Sequence, residues 1–270
     1  MPEGPEVRSV GDFLQRYIGY NLQVVEVLDP KLKVENSSLW QTPSVIDDIG
    51  VYGKKLLFRF SSGQVLVSEL GMSGKWLLPA YVPADEKKHI RIRLTLQSPD
   101  HEGMYLLFVE PRPFSHQRLF LTADACQRYL DTLGPDVLMH RWTSEEFRAL
   151  LLLNPLKNIC AWMMDGKAMY GIGNYLKAEI LYLACISPHR KLKSLVEEEI
   201  DRLHEAIEHV PRVSYAAQGF TMQDYIRPDG QIGRYKCMVY RKELDYKDRV
   251  VRKDKTPDGR KTYWVPERQV

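Results

Sequence analysis

Pro2 follows a methionine that is readily removed ahead of a small second residue, and its removal would expose a secondary amine. An ordinary α-amine has a pKa near 8, so roughly 10% of it is unprotonated at pH 7, against less than about 0.1% of a lysine near 10.4. It is the better nucleophile toward an aldehyde-level carbon. Because it is secondary, the adduct is an iminium that stays cationic, an electron sink for elimination at neighbouring carbons. Met-Pro alone is a common chain start and carries no such meaning. Glu3 and Glu6 add to it, since a carboxyl within reach of the amine can act as general acid or base. Pro-Glu-Gly-Pro-Glu is also a rigid way to hold two of them.

These residues must be placed by the elements around them. Val7, Val10, Leu14, Tyr17 and Ile18 repeat at helical spacing, which predicts a helix over 5–18 started by Pro5. From Leu22 to about Phe120 short β-branched and aromatic runs follow, for example at 22–28, 56–60, 64–70, 89–96 and 104–109, an antiparallel sandwich pattern. The helical period returns near 124–132, 143–153, 156–164, 173–184 and 195–208, with a junction at Leu133-Gly-Pro-Asp-Val137. After Pro228-Asp-Gly230 two strand-like arms, 233–241 and 260–265, flank a charged turn. The expected fold class is α+β, with segments 1–132, 133–232 and 233–270.

Composition narrows the partners. Hydrophobic residues are 44% and charged residues 27% of 270, which excludes a disordered or membrane-embedded chain. The longest apolar run, near Ala149 to Leu153, is too short to span a bilayer, and carboxylates at the start do not suit a signal peptide, so a protein that stays inside a cell is expected. Residues 211–270 hold 14 Lys/Arg against 8 Asp/Glu, while 1–210 hold 24 against 27. The basic surplus of the last segment suits either a polyanionic partner or a solvated face. Cys126, Cys160, Cys185 and Cys237 are widely spaced with no C-x-x-C pair, so reduced buried thiols are expected and no metal site.

Four further motifs stand out: Gly53-Lys54-Lys-Leu-Leu57; the pair Leu70-Gly-Met-Ser-Gly74 and Glu110-Pro-Arg-Pro-Phe114; Gly171-Ile-Gly-Asn-Tyr-Leu-Lys-Ala-Glu-Ile-Leu-Tyr182 with Ile186-Ser-Pro-His189; and Arg260-Lys-Thr-Tyr-Trp-Val-Pro266. Two glycines before Asn174 permit a tight turn that offers backbone N–H groups, a helix start and an amide donor to a phosphate. With Met1-Pro-Glu-Gly-Pro-Glu-Val7, and in the same order along residues 2 to 266, these resemble the formamidopyrimidine-DNA glycosylase and endonuclease VIII family. Its members excise oxidised bases and then cut the strand. The Asn-Tyr-Leu order and Cys160, where the formamidopyrimidine branch often has lysine, favour the endonuclease VIII side.

The resemblance implies an N-terminal helix and β-sandwich, then a helix-two-turns-helix domain carrying a β-hairpin finger, with damaged double-stranded DNA bound by a monomer across the cleft. It implies a Schiff-base role for Pro2, a general acid at Glu3 and a second acidic position at Glu6. Lys54, Asn174 and Arg260 would anchor phosphates, and Met72, Arg112 and Phe114 would fill the gap left by a flipped base. No cofactor is implied. Most members hold the finger on zinc with four cysteines. Val265 and Arg268 stand at the second pair here and Cys237 alone cannot build a tetrahedral site, so a zincless finger held by pairing and packing of Tyr263 and Trp264 is expected. Pro113 and Ser115 depart from the usual loop pattern, and the lesion loop falls near Phe220 to Gln231. The expected activity is glycosidic cleavage with β,δ-elimination on oxidised pyrimidines and formamidopyrimidines, in a nucleus, nucleoid or viral replication site. A DNA-binding protein that has lost turnover is the alternative.

Overall fold

Proline lacks the N–H that a first helical turn leaves unpaired anyway, so Pro5 suits the opening of α1 (Gly4–Leu14), which buries Val7, Val10, Phe13 and Leu14. The computed structural model describes residues 1–29, 32, 34–98, 101–220 and 225–270. The helix stops short of the expected residue 18: a single 3₁₀ turn, Gln15–Tyr17, completes it, and Gly19 at φ +89° turns the chain away. Gly11 lets α1 close on the sheet, because a Cβ there would lie 2.4 Å from Val51 Cγ2. One turn earlier, Arg8 donates to the Val51 carbonyl at 2.9 Å.

The strands are β1 (Asn21–Val27), β2 (Val34–Glu35), β3 (Ser44–Tyr52), β4 (Lys55–Phe60), β5 (Val65–Glu69), β6 (Lys75–Leu77), β7 (Ile90–Ser98), β8 (His101–Val109) and β9 (His116–Phe120). Among the described residues they run in the order β2-β9-β5-β4-β3-β1-β7-β8-β6, antiparallel except for β2 with β9. In β7 the side chains of Ile92, Leu94 and Leu96 are buried, the alternation of a half-covered strand. The sheet folds over itself into a sandwich. Trp76, on the edge strand β6, packs on Phe58 of β4 with ring centroids 5.3 Å apart, and its indole N–H donates to Ser68 Oγ of β5 at 2.9 Å. Strand β3 lies inside the expected β region but was not among the runs singled out, since Asp47, Asp48 and Gly50 interrupt its apolar pattern. A register shift between Ile46 and Asp48 absorbs them, and Asp48 pairs with Arg59 across the ladder. Helix α2 (Ala123–Leu130), capped by Thr122, closes this part.

The remaining helices are α3 (Ser144–Leu152), with a Thr143/Glu146 capping box, α4 (Ile159–Met163), capped by Asn158, α5 (Asn174–Leu183) and α6 (Glu197–Ala216). Helix α6 runs past the expected residue 208 and through Pro211. Its Leu203, Ala206, Ile207 and Val210 are buried in one core with Phe147, Trp162, Tyr175, Leu176 and Ile180. The chain groups into two compact units that are not consecutive: residues 1–2, 6–132 and 221–234 form one, residues 3–5, 133–220 and 235–270 the other. No helix among the described residues is long and apolar enough to cross a membrane.

The terminal hairpin differs from the expected arms. It pairs β10 (Arg252–Lys255) with β11 (Lys261–Trp264), and no strand forms over 233–241. The reason lies in Glu179 on α5. Its buried carboxylate accepts from the backbone N–H groups of Met238, Val239 and Tyr240 at 2.5, 3.0 and 2.8 Å and from the Tyr235 hydroxyl at 3.3 Å, so those amides cannot enter a ladder. The charged stretch 242–250 forms its own turn, with an isolated bridge from Leu244 to Val250.

Candidate functional site

A helix start leaves backbone N–H groups without intrahelical partners, and a carboxylate is their natural acceptor. At α5 that acceptor is Glu3, which takes hydrogen bonds from the N–H groups of Gly173 (2.7 Å), Tyr175 (2.9 Å) and Leu176 (3.2 Å). Gly4 N–H donates to the Gly171 carbonyl at 2.9 Å, fixing the same strand of chain. Gly171 is at φ +121°, where other residues are strained. Gly173 is extended at φ −126°, and glycine is required for room: a Cβ would sit 2.3 Å from Glu3 Cδ. The sequence reading offered these amides to a phosphate; the structure gives three of them to Glu3. Asn174 Nδ2 donates to the Lys261 carbonyl at 3.0 Å, tying the helix start to β11. Arg260, one residue before β11, is exposed, and its carbonyl accepts the Thr256 N–H at 2.9 Å across the hairpin turn. Glu3, Asn174 and Arg260 therefore belong to one unit and share the supports of α5 and β11.

Pro2, Glu6, Lys54, Met72, Arg112 and Phe114 belong to the other unit. Pro2 and Glu6 are buried. The Glu6 carbonyl accepts the hydroxyl of buried Tyr225 at 3.3 Å. Burial, then the nearby Glu6, pushes that phenol above its ordinary value, so Tyr225 acts as a donor. Lys54 is half-buried in the two-residue turn joining β3 to β4, where Gly53 at φ +55° supplies the positive dihedral that such turns need. The next residue, Lys55, points elsewhere: it is buried and ion-paired to Glu69, which also accepts the Tyr129 hydroxyl at 3.2 Å.

Met72 and the 110–115 loop are joined through Ser73. Its hydroxyl accepts the Arg112 N–H at 3.1 Å, and Gly71, at φ +61°, packs so close that a Cβ would meet the Phe114 carbonyl at 2.4 Å. Buried Glu110 holds the loop from below, accepting the N–H groups of Phe114 (2.9 Å) and Ser115 (2.6 Å). Arg112 and Phe114 are exposed and Met72 half-buried. An aromatic ring left 55% exposed on a braced backbone is not a core residue. The bracing roles of Glu110, Tyr225 and the Lys55–Glu69 pair were not read from the sequence, since their signal lies in burial, which no local spacing reveals. Residues 221–224 of the expected lesion loop lie outside the described residues.

The finger does not fit zinc. Val265 is fully buried with Ala178, Tyr182 and Val239 in an apolar cluster, and Arg268 donates to the Tyr182 carbonyl at 3.0 Å. Among the described residues no group of three or more His, Cys, Asp or Glu could hold a metal. All four cysteines are free thiols, and burial pushes that of Cys160 up to about 11. The 242–250 turn is held by Asp245, whose buried carboxylate takes Arg249 Nη2 at 2.6 Å, the Lys247 and Arg249 N–H groups at 2.8 and 3.0 Å, and the Tyr182 hydroxyl at 2.9 Å. Burial alone would push this carboxyl up, but those donors outweigh it and hold it well below the usual carboxylate range. A depressed carboxyl adds stability above its unfolded pKa of about 3.9, lost as pH falls through the lower folded value. In urea unfolding, Asp245→Asn should therefore be less stable than the parent by about 1–3 kcal/mol above roughly pH 5, the gap narrowing below about pH 4.

Comparison with known proteins gives the class. Residues 1–117 match the formamidopyrimidine-DNA glycosylase N-terminal domain and residues 133–225 its H2TH domain, a class of DNA N-glycosylases with abasic-site lyase activity that act in base excision repair. The chain belongs to the formamidopyrimidine-DNA glycosylase and endonuclease VIII family. It is 31% identical to Endonuclease 8 of Salmonella arizonae over 274 residues, 98% of each chain. The fold matches that of Lactococcus lactis Fpg in complex with abasic-site-containing DNA, with a TM-score of 0.87, 25% identity and 99% of each chain covered. A variant of that protein with Fapy-dG-containing DNA matches at a TM-score of 0.88, 26% identity and 99% of each chain.

Proposed function

We propose that this chain, as a monomer, removes oxidised pyrimidines and formamidopyrimidines from double-stranded DNA and cuts the strand through a Schiff base on Pro2. The observation that carries the reading is the seat of Glu3 on three amides of the α5 start, which fixes the residue bonded to Pro2. In the proposed reaction the Pro2 nitrogen bonds to C1′ as the base departs, protonated by water, and the ionised Glu3 carboxylate takes the proton the nitrogen loses and hands it on, as the acid, to the sugar ring oxygen, opening the ring to an iminium. The Glu3 carboxylate, ionised again, takes a C2′ proton as the 3′ phosphate leaves, and loss of a second proton to water, from C4′, expels the 5′ phosphate. Water then releases the amine. Glu6 is the second carboxylate of this opening, and Lys54, Asn174 and Arg260 hold phosphates on either side of the lesion. Such a substrate places the protein with the DNA it repairs, in a nucleoid, a nucleus or a viral replication site. No resident cofactor takes part in these steps.

Borohydride trapping of a covalent adduct with an abasic-site duplex tests the reading. An adduct at the N-terminal residue is expected; its absence from protein with a free Pro2 amine would leave a DNA-binding protein without turnover. A panel of duplexes with single defined lesions then tests the substrate class. The gap-filling role of Phe114 has its own expectation. Because the ring is 55% exposed, Phe114→Ala should leave the melting temperature within about 2 °C of the parent. Its affinity for a duplex carrying an abasic analogue should fall roughly tenfold, since an unstacked gap costs a few kcal/mol.

A further inference from the structure

Lys177 lies one turn beyond Asn174 on α5 and is fully buried, its Nζ 2.5 Å from Asp258 Oδ2 in the turn between β10 and β11, where the Asp258 side chain is 3% exposed. The other Asp258 oxygen accepts the Thr256 hydroxyl at 2.5 Å, Thr256 Oγ1 meets Thr262 Oγ1 at 2.7 Å, and the Asp258 carboxylate also accepts the backbone N–H of Arg260. Burial pushes the Asp258 carboxyl up, yet the Lys177 and Thr256 bonds and the Lys177 charge more than offset it and keep it ionised. Arg260 is thus bracketed by two anchors to α5, through residue 258 on one side and through the Asn174 bond to Lys261 on the other. Among the described residues the ion pair that ties the turn Thr256-Pro-Asp-Gly-Arg260 to α5 is the Lys177–Asp258 contact. A buried ion pair returns little net stability against apolar packing of the same volume, so its use here calls for a positional account.

We infer that the Lys177–Asp258 pair is the positioning device for Arg260, fixing the arginine at the end of a hairpin whose described residues do not fit zinc. The inference rests on the reading above that Arg260 grips a phosphate beside the lesion. The test uses the full chain, a duplex bearing a tetrahydrofuran abasic analogue for binding, and an abasic-site duplex for incision. Lys177→Met combined with Asp258→Leu removes the pair while filling its space, which keeps the fold. This double variant should bind the analogue about tenfold more weakly, and Lys177→Arg should restore affinity to within about twofold. The slope of log Kd against log salt should flatten by about 0.9, one phosphate contact, although the pair is neutral and buried.

In an Arg260→Ala background the same double replacement should cost less than about twofold more. Parental binding by the pair-replaced variant, an unchanged salt slope, or losses that multiply with Arg260→Ala would overturn the inference. Parental binding by Arg260→Ala alone would instead overturn the role of Arg260 itself, and the inference with it.

Discussion

Strand cleavage should fall about a hundredfold in Gly173→Ala, and the loss should be chemical more than structural. The added methyl would lie 2.3 Å from Glu3 Cδ and 2.4 Å from Oε1, closer than atoms approach, so either the carboxylate or the start of α5 must move. The helix start has no room to yield, because Tyr175, Leu176 and Ile172 are buried in the core of its unit. Glu3 therefore leaves its donors and gives up three charge-assisted hydrogen bonds. The expected cost in unfolding free energy is about 2–4 kcal/mol, less than the sum of three such bonds because water replaces part of it. Shortening the side chain separates the two effects. In Gly173→Ala with Glu3→Asp the carboxylate regains space, and urea unfolding should recover part of the lost stability. Cleavage should not recover, since a carboxyl displaced by about 1 Å cannot serve the same reacting atoms. Parental cleavage by Gly173→Ala would remove the Glu3 seat from the mechanism.

The parts of this site that sequence made legible are those whose chemistry is local. A glycine pair before Asn174, a lysine in a two-residue turn and an arginine at a hairpin end are each written in a few consecutive residues, and the resemblance joined them across the chain. The parts that stayed hidden are carboxylates whose partners lie far off in sequence. Glu3 meets amides about 170 residues away, Glu179 meets amides about 60 residues away, and Asp258 meets a lysine 81 residues away. Hidden too was the competition among acceptors. The glycine turn before α5 has the form of a phosphate cradle, but one carboxylate already occupies it. Likewise 233–241 has the composition of a strand, yet its amides belong to Glu179. Strand β3 was not singled out within the expected β region for the opposite reason, a bulge that carries two aspartates out of the alternation.

Any residue retained ahead of Pro2 should abolish trapping, reducing the borohydride adduct at least about a thousandfold while changing affinity for an abasic-analogue duplex less than about threefold. Acylation makes the Pro2 nitrogen a tertiary amide, its lone pair delocalised into the carbonyl and unable to attack carbon. The DNA contacts proposed for Lys54, Asn174 and Arg260 come from other parts of the chain, so binding should persist. Pro2→Gly is the finer test. Glycine keeps an amine, but a primary one, and its adduct is an imine that can lose its proton and with it the electron sink. Glycine also lacks the ring that limits the directions in which the nitrogen can face. Cleavage should then fall roughly tenfold to a hundredfold, well beyond any change in affinity, and equal losses in both would contradict the nucleophilic role. The pH dependence of the parent adds an independent check. Only the unprotonated amine attacks, so single-turnover cleavage should rise about tenfold per pH unit until the amine titrates, and should level above it. A rate flat across the range from pH 5 to pH 8 would place the rate-limiting nucleophile elsewhere than on an α-amine.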